Sequence, residues 1–593
     1  MKRLFAAVLF LTVSCTTATI PPAATNATAP AAPVHIVLVG TTDVHGWFAG
    51  HNDTLKDGSI NHWGGLAILK SYVDALRTAN DGHVVLVDSG DLFQGTLESN
   101  IFEGEPVVKG YNALGYAAAA VGNHEFDYGP VGPDSVVTKP GQDPLGALKL
   151  NASMMNFPML SANMTEKATG ATPAWAHRST MVTVAGVKIG IIGLSTPDTP
   201  NVTMPANVTT LDFNAPVPAA VNEAADLRAR GADMVIVIAH MGGRCTDLSD
   251  VHDVNSCESE HEAMQFLRAI PKGTIDAYFA GHTHSQMRQY IEGVPAVQAL
   301  AYSREFSTLD VWIDGANHRV ERTEMRPLTM LCTAVYSGTE TCDPKQAKGA
   351  TQLVPRVFEG KTIVPDAKVA AMFTSYLARV AEKRNEPVGI RSTAAIPRSY
   401  YGEAPLGNLL TDLMRSGTGA DIAFINSGGI RAELPAGDLR YSDVFEVSPF
   451  DNFPTVVPLT GAQIAEMLRL TANGEHGILQ VSGLKYTYDA TKDADKPPAQ
   501  RQRVLSVTLP DGTPVDPTAT YKVVMPDFLA VGGDGLMPVM KDVPKSEIHT
   551  DQSAPLRELF VRELRKRGAA GQTISPAKEG RVTVLNATSD TTH

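Results

Sequence analysis

Short apolar runs recur along the first half of the chain, and a polar, glycine-rich turn follows each of them. The runs and their turns are HIVLVG with TTDVHG, HVVLVD with SGDLFQG, VKIGIIGL with STP, DMVIVIAH with MGG and DAYFAG with HTHS. Such runs are typical of strands buried on both faces of a layered α/β domain. Helical stretches at 66–78 and 260–269 alternate with the runs. The pattern predicts a layered β-sandwich domain flanked by helices, which we assign to residues 34–360.

A different periodicity separates this region from the rest of the chain. Between Pro365 and Pro387, apolar side chains recur at helical spacing, with Phe373 and Tyr376 at the centre of the stripe. This spacing predicts a linker helix within 361–388. Residues 389–593 then form a second α/β or α+β domain.

Length and charge restrict the classes of protein to consider. With 593 residues, of which 43% are apolar and 19% are charged, the chain is too long for one core, so two large domains are expected. A formal net charge of -13 disfavours a nucleic-acid polymer as partner, because an acidic surface repels phosphate at long range. An anionic substrate would therefore have to meet local positive charge.

The N-terminal stretch MKRLFAAVLFLTVSC has the basic start and short apolar run of a secretory signal. We therefore predict residues 1–33 to be a signal peptide and a flexible tether, and the protein to be exported. Ser14 and Cys15 resemble a bacterial lipoprotein processing site, which would put a lipid anchor on Cys15. The alternative is a plain cleaved signal. The predicted location is the periplasm, the outer membrane through that anchor, or otherwise the extracellular space.

The other four cysteines form two close pairs, Cys245 with Cys257 and Cys332 with Cys342. In an oxidising compartment both pairs are expected to be disulfides that close short loops. A zinc clip is the alternative, although no CxxC spacing supports it.

The polar turns carry side chains that bind metals, and each follows an apolar run. The candidate ligands are Asp43, His45, Asp91, Asn123, His240, His282 and His284. Each one alone has a structural explanation, such as a helix cap or a turn. Because ligand sites in α/β sheets form beyond the carboxyl ends of the strands, these side chains can converge.

The mixture of imidazole, carboxylate and amide indicates which ions would bind. These ligand types suit zinc, manganese, iron or cobalt, whereas magnesium and calcium favour oxygen ligands alone. Two divalent ions roughly 3.5 to 4 Å apart bind a phosphoryl oxygen and activate water, and one bridging carboxylate holds them together. We expect two such ions, with Asp91 as the bridge.

The order DxH, GDxxxG, GNHEFD, a later His and GHxH resembles the calcineurin-like metallophosphoesterases. The resemblance implies one ion on Asp43, His45, Asp91 and His284, and a second on Asp91, Asn123, His240 and His282. It also implies that His124 faces the substrate, where it stabilises the transition state or protonates the leaving group, and that Asp127 orients His124. An imidazole held by a carboxylate is in any case a positioned general acid.

Four stretches of the second region, LGNLLTDLM, INSGGIRAEL, SPFDNF and MPDFLAVGGDG, together resemble the C-terminal domain of 5'-nucleotidases. The resemblance implies a phosphate-binding loop, two aromatic rings around the base and an acidic residue on the ribose. The substrate-binding residues that it implies are Asn426, Arg431, Phe450, Asn452, Phe528 and Asp534. Stacking on the faces of two rings would tolerate any base.

The chain departs from that family at one position. Tyr400 stands where the family commonly has an arginine, three residues before the Glu of the GEAPLGN segment. Arg398, two positions earlier, is the candidate to replace the missing guanidinium.

The resemblance implies an exported two-metal phosphohydrolase that releases phosphate from nucleoside 5'-monophosphates. Two alternatives share its folds, a 2',3'-cyclic-nucleotide 2'-phosphodiesterase and a UDP-sugar hydrolase. An inactive nucleotide-binding or adhesion protein is the alternative from a different class.

Overall fold

The computed structural model describes residues 32–54, 60–315, 317–347, 349–474, 477–551 and 553–587. Residues 1–31 of the predicted leader and tether, including Cys15, lie outside the described residues. Within the described part of the chain, no helix combines the length and the hydrophobicity needed to cross a bilayer.

Two large sheets form the first domain. In spatial order, the first contains Val320–Met325, Glu305–Ile313, Val34–Thr41, Val84–Asp88, Ala118–Ala120 and Met159–Leu160, with Thr329–Met330 paired to Glu305–Ile313. The second contains Met287–Ile291, Val294–Gln298, Ala277–Ala280, Met234–His240, Val187–Ser195 and Ser179–Val184. The central strands of each sheet run parallel to one another, so their carboxyl ends share one edge.

The two sheets pack face to face, and helices cover their outer faces. Side chains such as Leu38, Ile191 and Ile236 fill the space between the sheets. On the first sheet lie Leu66–Ala79, Glu105–Leu114 and Gly146–Met154, and on the second lie Pro216–Ala229 and Glu262–Ala269. The continuous apolar runs of the sequence are these two-sided strands, and the predicted helix-flanked sandwich is confirmed.

The linker helix spans Ala367–Asn385. The Asp366 side chain accepts hydrogen bonds from the first free N–H groups of the helix, at Lys368 and Val369. Its apolar stripe packs on the first domain, where the Phe373 ring lies 4.6 Å from the Phe48 ring. The predicted stripe is therefore a packing surface that fixes the helix to the first domain.

The second domain is an α+β unit. Its main sheet contains Leu479–Ser482, Ile422–Asn426, Thr520–Pro526, Pro454–Thr460 and His549–Thr550. Helices Pro405–Thr418, Tyr441–Val447 and Leu556–Ala569 pack on one side of it, and Gly461–Thr471 packs on the other. Smaller sheets join Val504–Thr508, Lys485–Asp489 and Val582–Leu585, and Pro387–Ser392 with Gly437–Arg440.

Short elements complete the chain. The paired strands are His51–Thr54 with Ile60–Trp63, Met164–Glu166 with Leu211–Phe213, Ala334–Tyr336 with Leu353–Pro355, and Val357–Phe358 with Lys361–Thr362. The short helices are Leu97–Asn100, Thr199–Val202, Asp527–Ala530 and Met537–Met540. Single 3₁₀ turns are formed by His124–Phe126, Pro205–Asn207, Ser427–Gly429, Pro498–Gln500 and Lys545–Glu547.

Both predicted disulfides are present, Cys245–Cys257 and Cys332–Cys342. They close loops with sequence separations of 12 and 10 residues. The zinc-clip alternative is wrong, because each sulfur is already bonded to its partner. The first loop borders a cavity, to whose wall Cys245 and Thr246 contribute.

Candidate active site

The ends of the parallel strands bring the predicted metal ligands together. Ligand atoms of Asp43, His45, Asp91 and His284 all lie within 4.8 Å of one another, and so do those of Asp91, His240 and His282. The Asn123 Oδ1 atom joins the second group at 3.0 Å from the His240 Nε2 atom. All seven candidates therefore converge, and Asp91 is common to both groups.

The backbone at these positions is in a conformation that most residues avoid. The φ angles of Asp43, His45, Asp91, His282 and His284 are 50°, 48°, 59°, 79° and 52°. A side chain in the left-handed region carries a conformational cost, and such residues cluster where the surrounding structure fixes a functional geometry. The turns are bent so that these side chains reach one point.

In His240 and His45, the ring nitrogen that points away from Asp91 forms a hydrogen bond that identifies it as protonated. His240 Nδ1 lies 2.9 Å from the Ser89 carbonyl oxygen, and His45 Nδ1 lies 2.8 Å from the Gln94 carbonyl oxygen. A carbonyl only accepts, so each Nδ1 donates, and Nε2 is the nitrogen that holds a lone pair when the ring is neutral.

These lone pairs face other acceptors. His240 Nε2 lies 3.1 Å from Asp91 Oδ2, and His45 Nε2 lies 2.9 Å from His284 Nε2 and 3.5 Å from Asp91 Oδ2. Buried acceptors that point at one another need a proton or a cation between them. The donor set therefore fits divalent cations, and its nitrogen content suits the transition metals.

Burial and charge set the protonation of the cluster. Burial lowers the pKa of His45 and His284, and that of His282 to about 3, so these rings are neutral, as metal-binding imidazoles must be. Burial opposes charge on His240 too, but the Asp91 carboxylate outweighs it and raises the pKa of His240 to about 10, so a proton on His240 Nε2 can take the place of a cation beside Asp91. Burial favours protonated Asp91, yet the imidazoles of His240 and His124 hold the pKa of Asp91 well below its usual range. Asp91 is therefore ionised, as a shared ligand must be.

His124 and Asp127 form the predicted pair. The His124 Nδ1 atom lies 2.6 Å from Asp127 Oδ2, and Thr203 Oγ1 donates to Asp127 Oδ1 at 2.8 Å. The His124 backbone N–H donates to Asp91 Oδ1 at 2.9 Å, so the main chain of His124 touches the metal cluster. Both side chains of the pair line the cavity.

The second domain closes over the same site. A cavity of about 1880 Å³ lies between the domains. The predicted substrate residues on its wall are Arg398, Asn426, Arg431, Phe450, Asn452, Phe528 and Asp534. Arg431 Nη2 reaches 3.2 Å from His45 Nε2, and the Phe450 ring lies 5.5 Å from the His124 ring. The structure thus gathers every predicted site residue into one region.

Asp527 is a positioning residue that the sequence analysis missed. Its Oδ1 accepts from Asn452 Nδ2 at 3.0 Å and from the N–H groups of Phe453 and Phe528 at 3.1 and 2.9 Å. It therefore ties the two loops that carry the predicted base-binding rings. Asn452 already has a protein partner, and its role on the substrate stays a prediction. The available signal was the place of Asp527 in MPDFLAVGGDG, directly before Phe528.

Tyr400, which stands where the family commonly has an arginine, is accommodated by two nearby glycines. A Cβ atom on Gly428 would lie 3.2 Å from the Tyr400 hydroxyl, and one on Gly477 would lie 2.8 Å from its ring, so two glycines make room for this side chain. Arg398 Nη1 donates to the Ile430 carbonyl at 3.1 Å, in the 426–431 loop that is predicted to bind phosphate. Burial lowers the pKa of His284, and the charges of Arg431 and Arg398 lower it further. The replacement of the missing arginine by Arg398 stays a prediction.

Glu125 was also missed, although it lies within the GNHEFD motif. Its carboxylate accepts from the N–H groups of Asp91 at 3.0 Å, Leu92 at 2.6 Å and Gly122 at 2.6 Å. The two loops that carry Asp91 and Asn123 are therefore bound to one buried carboxylate. Glu125 positions ligands and is not itself in either group of ligands.

The sequence matches two family descriptions. Residues 36–286 match the calcineurin-like phosphoesterases, and residues 379–542 match the 5'-nucleotidase C-terminal domain. The chain is 27% identical to the 5'-nucleotidase of Vibrio cholerae over 539 residues, which cover 86% of this chain and 87% of that protein. It is 26% identical to cell wall protein Lmo0130 of Listeria monocytogenes over 596 residues, which cover 95% of this chain and 71% of that protein.

A solved structure supports the same arrangement of domains. The 5'-nucleotidase precursor from Thermus thermophilus superimposes with a TM-score of 0.73 at 25% identity, covering 93% of this chain and all of that one. Fold and site together define a two-domain hydrolase with a metallophosphoesterase domain and a 5'-nucleotidase C-terminal domain. The chain belongs to the 5'-nucleotidase family.

We expect Glu125→Gln to weaken metal binding by about 10- to 100-fold, because the amide presents a donor to backbone N–H donors and the ligand loops lose their shared anchor. Metal content after dialysis and calorimetric titration of the apoprotein with zinc or manganese would measure the change. Glu324→Gln, on an exposed strand, is the control and should bind metal as the parent does. Equal affinity in both variants would contradict the positioning role of Glu125.

Proposed function

We propose that this protein hydrolyses nucleoside 5'-monophosphates to nucleosides and inorganic phosphate with two divalent metal ions. One ion would be held by Asp43, His45, Asp91 and His284, and the other by Asp91, Asn123, His240 and His282. Zinc, manganese, iron and cobalt all suit this set. When bound, such a pair of ions polarises a phosphoryl oxygen and makes water nucleophilic at neutral pH.

The observation that carries the proposal is the contact between the two domains at the metal ligands. The Arg431 guanidinium lies 3.2 Å from His45 Nε2 and 3.4 Å from His284 Nε2. A guanidinium is a planar partner for phosphate oxygens and balances the charge that develops during hydrolysis. A phosphoryl group bound beside the metal ligands would therefore meet Arg431 as well.

His124 and the second domain supply the remaining roles. His124, held by Asp127 at 2.6 Å, would donate a proton to the departing nucleoside oxygen. Phe450 and Phe528 would enclose the base, and Asp534 would accept from ribose hydroxyls. Asn426 and Arg398 would join Arg431 around the phosphate.

The size of the cavity favours a second candidate function, the hydrolysis of UDP-sugars. Its volume of about 1880 Å³ exceeds the roughly 300 to 1,000 Å³ of most ligand sites. Its wall also includes Arg244, Lys496 and Tyr488, which are not among the residues assigned to the nucleoside. A substrate with a group beyond the phosphate would use that space.

We also propose that the protein is exported. The secretory pattern at residues 1–33 supports export, as do the disulfides and the similarity to a protein named for the cell wall. Attachment through Cys15 belongs to the same proposal.

A substrate panel tests the function directly. Phosphate release from AMP, 2',3'-cAMP, UDP-glucose and an aryl phosphate would be measured with zinc, manganese and cobalt, adding a phosphatase where the first product is a phosphate ester. We expect AMP to have the highest kcat/KM and chelation to abolish it. A higher kcat/KM for UDP-glucose would favour the second candidate. Tight AMP binding without turnover of any substrate would indicate an inactive nucleotide-binding protein.

We expect His124→Ala to keep both metals and to lower kcat for AMP by about 10²- to 10⁴-fold, because the contact with Asp91 is made by the backbone N–H. The loss should be smaller for p-nitrophenyl phosphate, whose leaving group needs no proton. Metal analysis and kcat for both substrates would be measured, with the exposed His177→Ala as control. Loss of metal, or an equal loss on both substrates, would refute the general-acid role.

We expect Phe450→Ala to raise KM for AMP by about 5- to 100-fold, as loss of one base–aromatic stack predicts. KM for a simple aryl phosphate should change far less, because that substrate has no base. Steady-state kinetics on both substrates would measure the ratio. An equal change in both KM values would contradict base stacking at Phe450.

A further inference from the structure

Tyr302 lies against the metal cluster and has none of the roles assigned above. Its ring is 5.6 Å from the His45 ring and 5.1 Å from the His284 ring, edge-on to the latter. Its hydroxyl is buried and has no hydrogen-bond partner among the described residues. A buried hydroxyl without a partner is costly, so a bound group is the expected acceptor.

The backbone of Tyr302 is in the left-handed region, with φ at 67°, and Ser303 follows at 53°. A bulky aromatic residue adopts this conformation only where its surroundings enforce it. Here the Tyr302 N–H donates to the Asp43 carbonyl at 2.7 Å, and the Ser303 carbonyl accepts from Gly65 at 3.2 Å. The loop is thus bonded directly to a metal-ligand residue.

His51 holds the Tyr302 carbonyl from the other side. The His51 ring lies between Trp47 at 4.1 Å and Trp63 at 4.5 Å, stacked on both. Burial lowers the pKa of His51 to about 4, so the ring stays neutral, and its Nε2 donates to the Tyr302 carbonyl at 2.8 Å. Three stacked aromatic rings therefore fix one strained tyrosine.

Tyr302 and Arg431 approach the same two imidazoles. Arg431 Nη2 lies 3.2 Å from His45 Nε2 and 3.4 Å from His284 Nε2, and the Tyr302 ring packs against both of these rings. On the other side of His45 lies Gln94, 2% exposed, whose amide atoms also have no partner among the described residues.

We infer that the Tyr302 hydroxyl donates a hydrogen bond to a non-bridging oxygen of the phosphoryl group bound beside Arg431. This inference rests on the proposed function, because it assumes that the ligand is a tetrahedral phosphate. Arg431 supplies charge to that group, and Tyr302 supplies a fixed, neutral donor. The strained loop and the Trp47–His51–Trp63 stack then serve to hold the donor in place.

The test is binding of inorganic phosphate to the metal-loaded protein, measured by calorimetry for Tyr302→Phe. We expect Kd to rise about tenfold, the effect of one hydrogen bond to a charged group. Metal content and Tm should stay at the parental values. Tyr290→Phe is the control, because it removes a distant hydroxyl that donates to the Thr323 carbonyl, and its Kd should not change.

A Kd within twofold of the parent, with metal retained, would overturn the inference. Loss of metal from Tyr302→Phe would overturn it as well, because Tyr302 would then only support the ligands. If no nucleotide in the panel is hydrolysed but phosphate binding still depends on Tyr302, the proposed function fails and the inference stands. If AMP is hydrolysed but Tyr302→Phe binds phosphate as the parent does, the proposed function stands and the inference fails.

Discussion

The structure of this protein depends on buried lone pairs that point at one another. His45 and His240 use their Nδ1 protons on backbone carbonyls, which leaves both Nε2 atoms facing acceptors around Asp91. Such a cluster is unfavourable unless cations occupy it. Five of its residues accept left-handed backbone angles to reach it, and Glu125 is buried to anchor its loops. Bound ligands would offset the conformational strain that the fold concentrates here.

The second constraint is that the site is complete only when both domains are present. The first domain holds the metal ligands and His124, whereas Arg431 and Phe450 come from the second domain and lie within 3.2 and 5.5 Å of first-domain side chains. The linker helix packs on the first domain through Phe373. The candidate site therefore lies at the boundary, and each domain contributes one part of it.

Residues outside the two groups of candidate ligands hold the loops of the site in place. Glu125 and Asp527 each accept three hydrogen bonds from two loops, and His51 holds the carbonyl of a strained tyrosine. A motif search favours residues with reactive side chains, and these three act on the backbone. Their roles can be recognised only from hydrogen-bond distances in the structure, because an acidic residue or a histidine in a turn has many structural explanations.

The sequence by itself determined the strands, the linker helix, both cysteine pairs and the seven candidate metal ligands, because strand burial and ligand chemistry leave local patterns. The tertiary structure decided which distant residues come together, because local patterns carry no information on such contacts. It brought Asp43 within reach of His284, tied Asn452 to Asp527 and set Arg398 beside the loop that is predicted to bind phosphate. It also selected Tyr302, which no motif marks. The reason is physical: a hydroxyl becomes informative only when its neighbours are known and none of them is its partner.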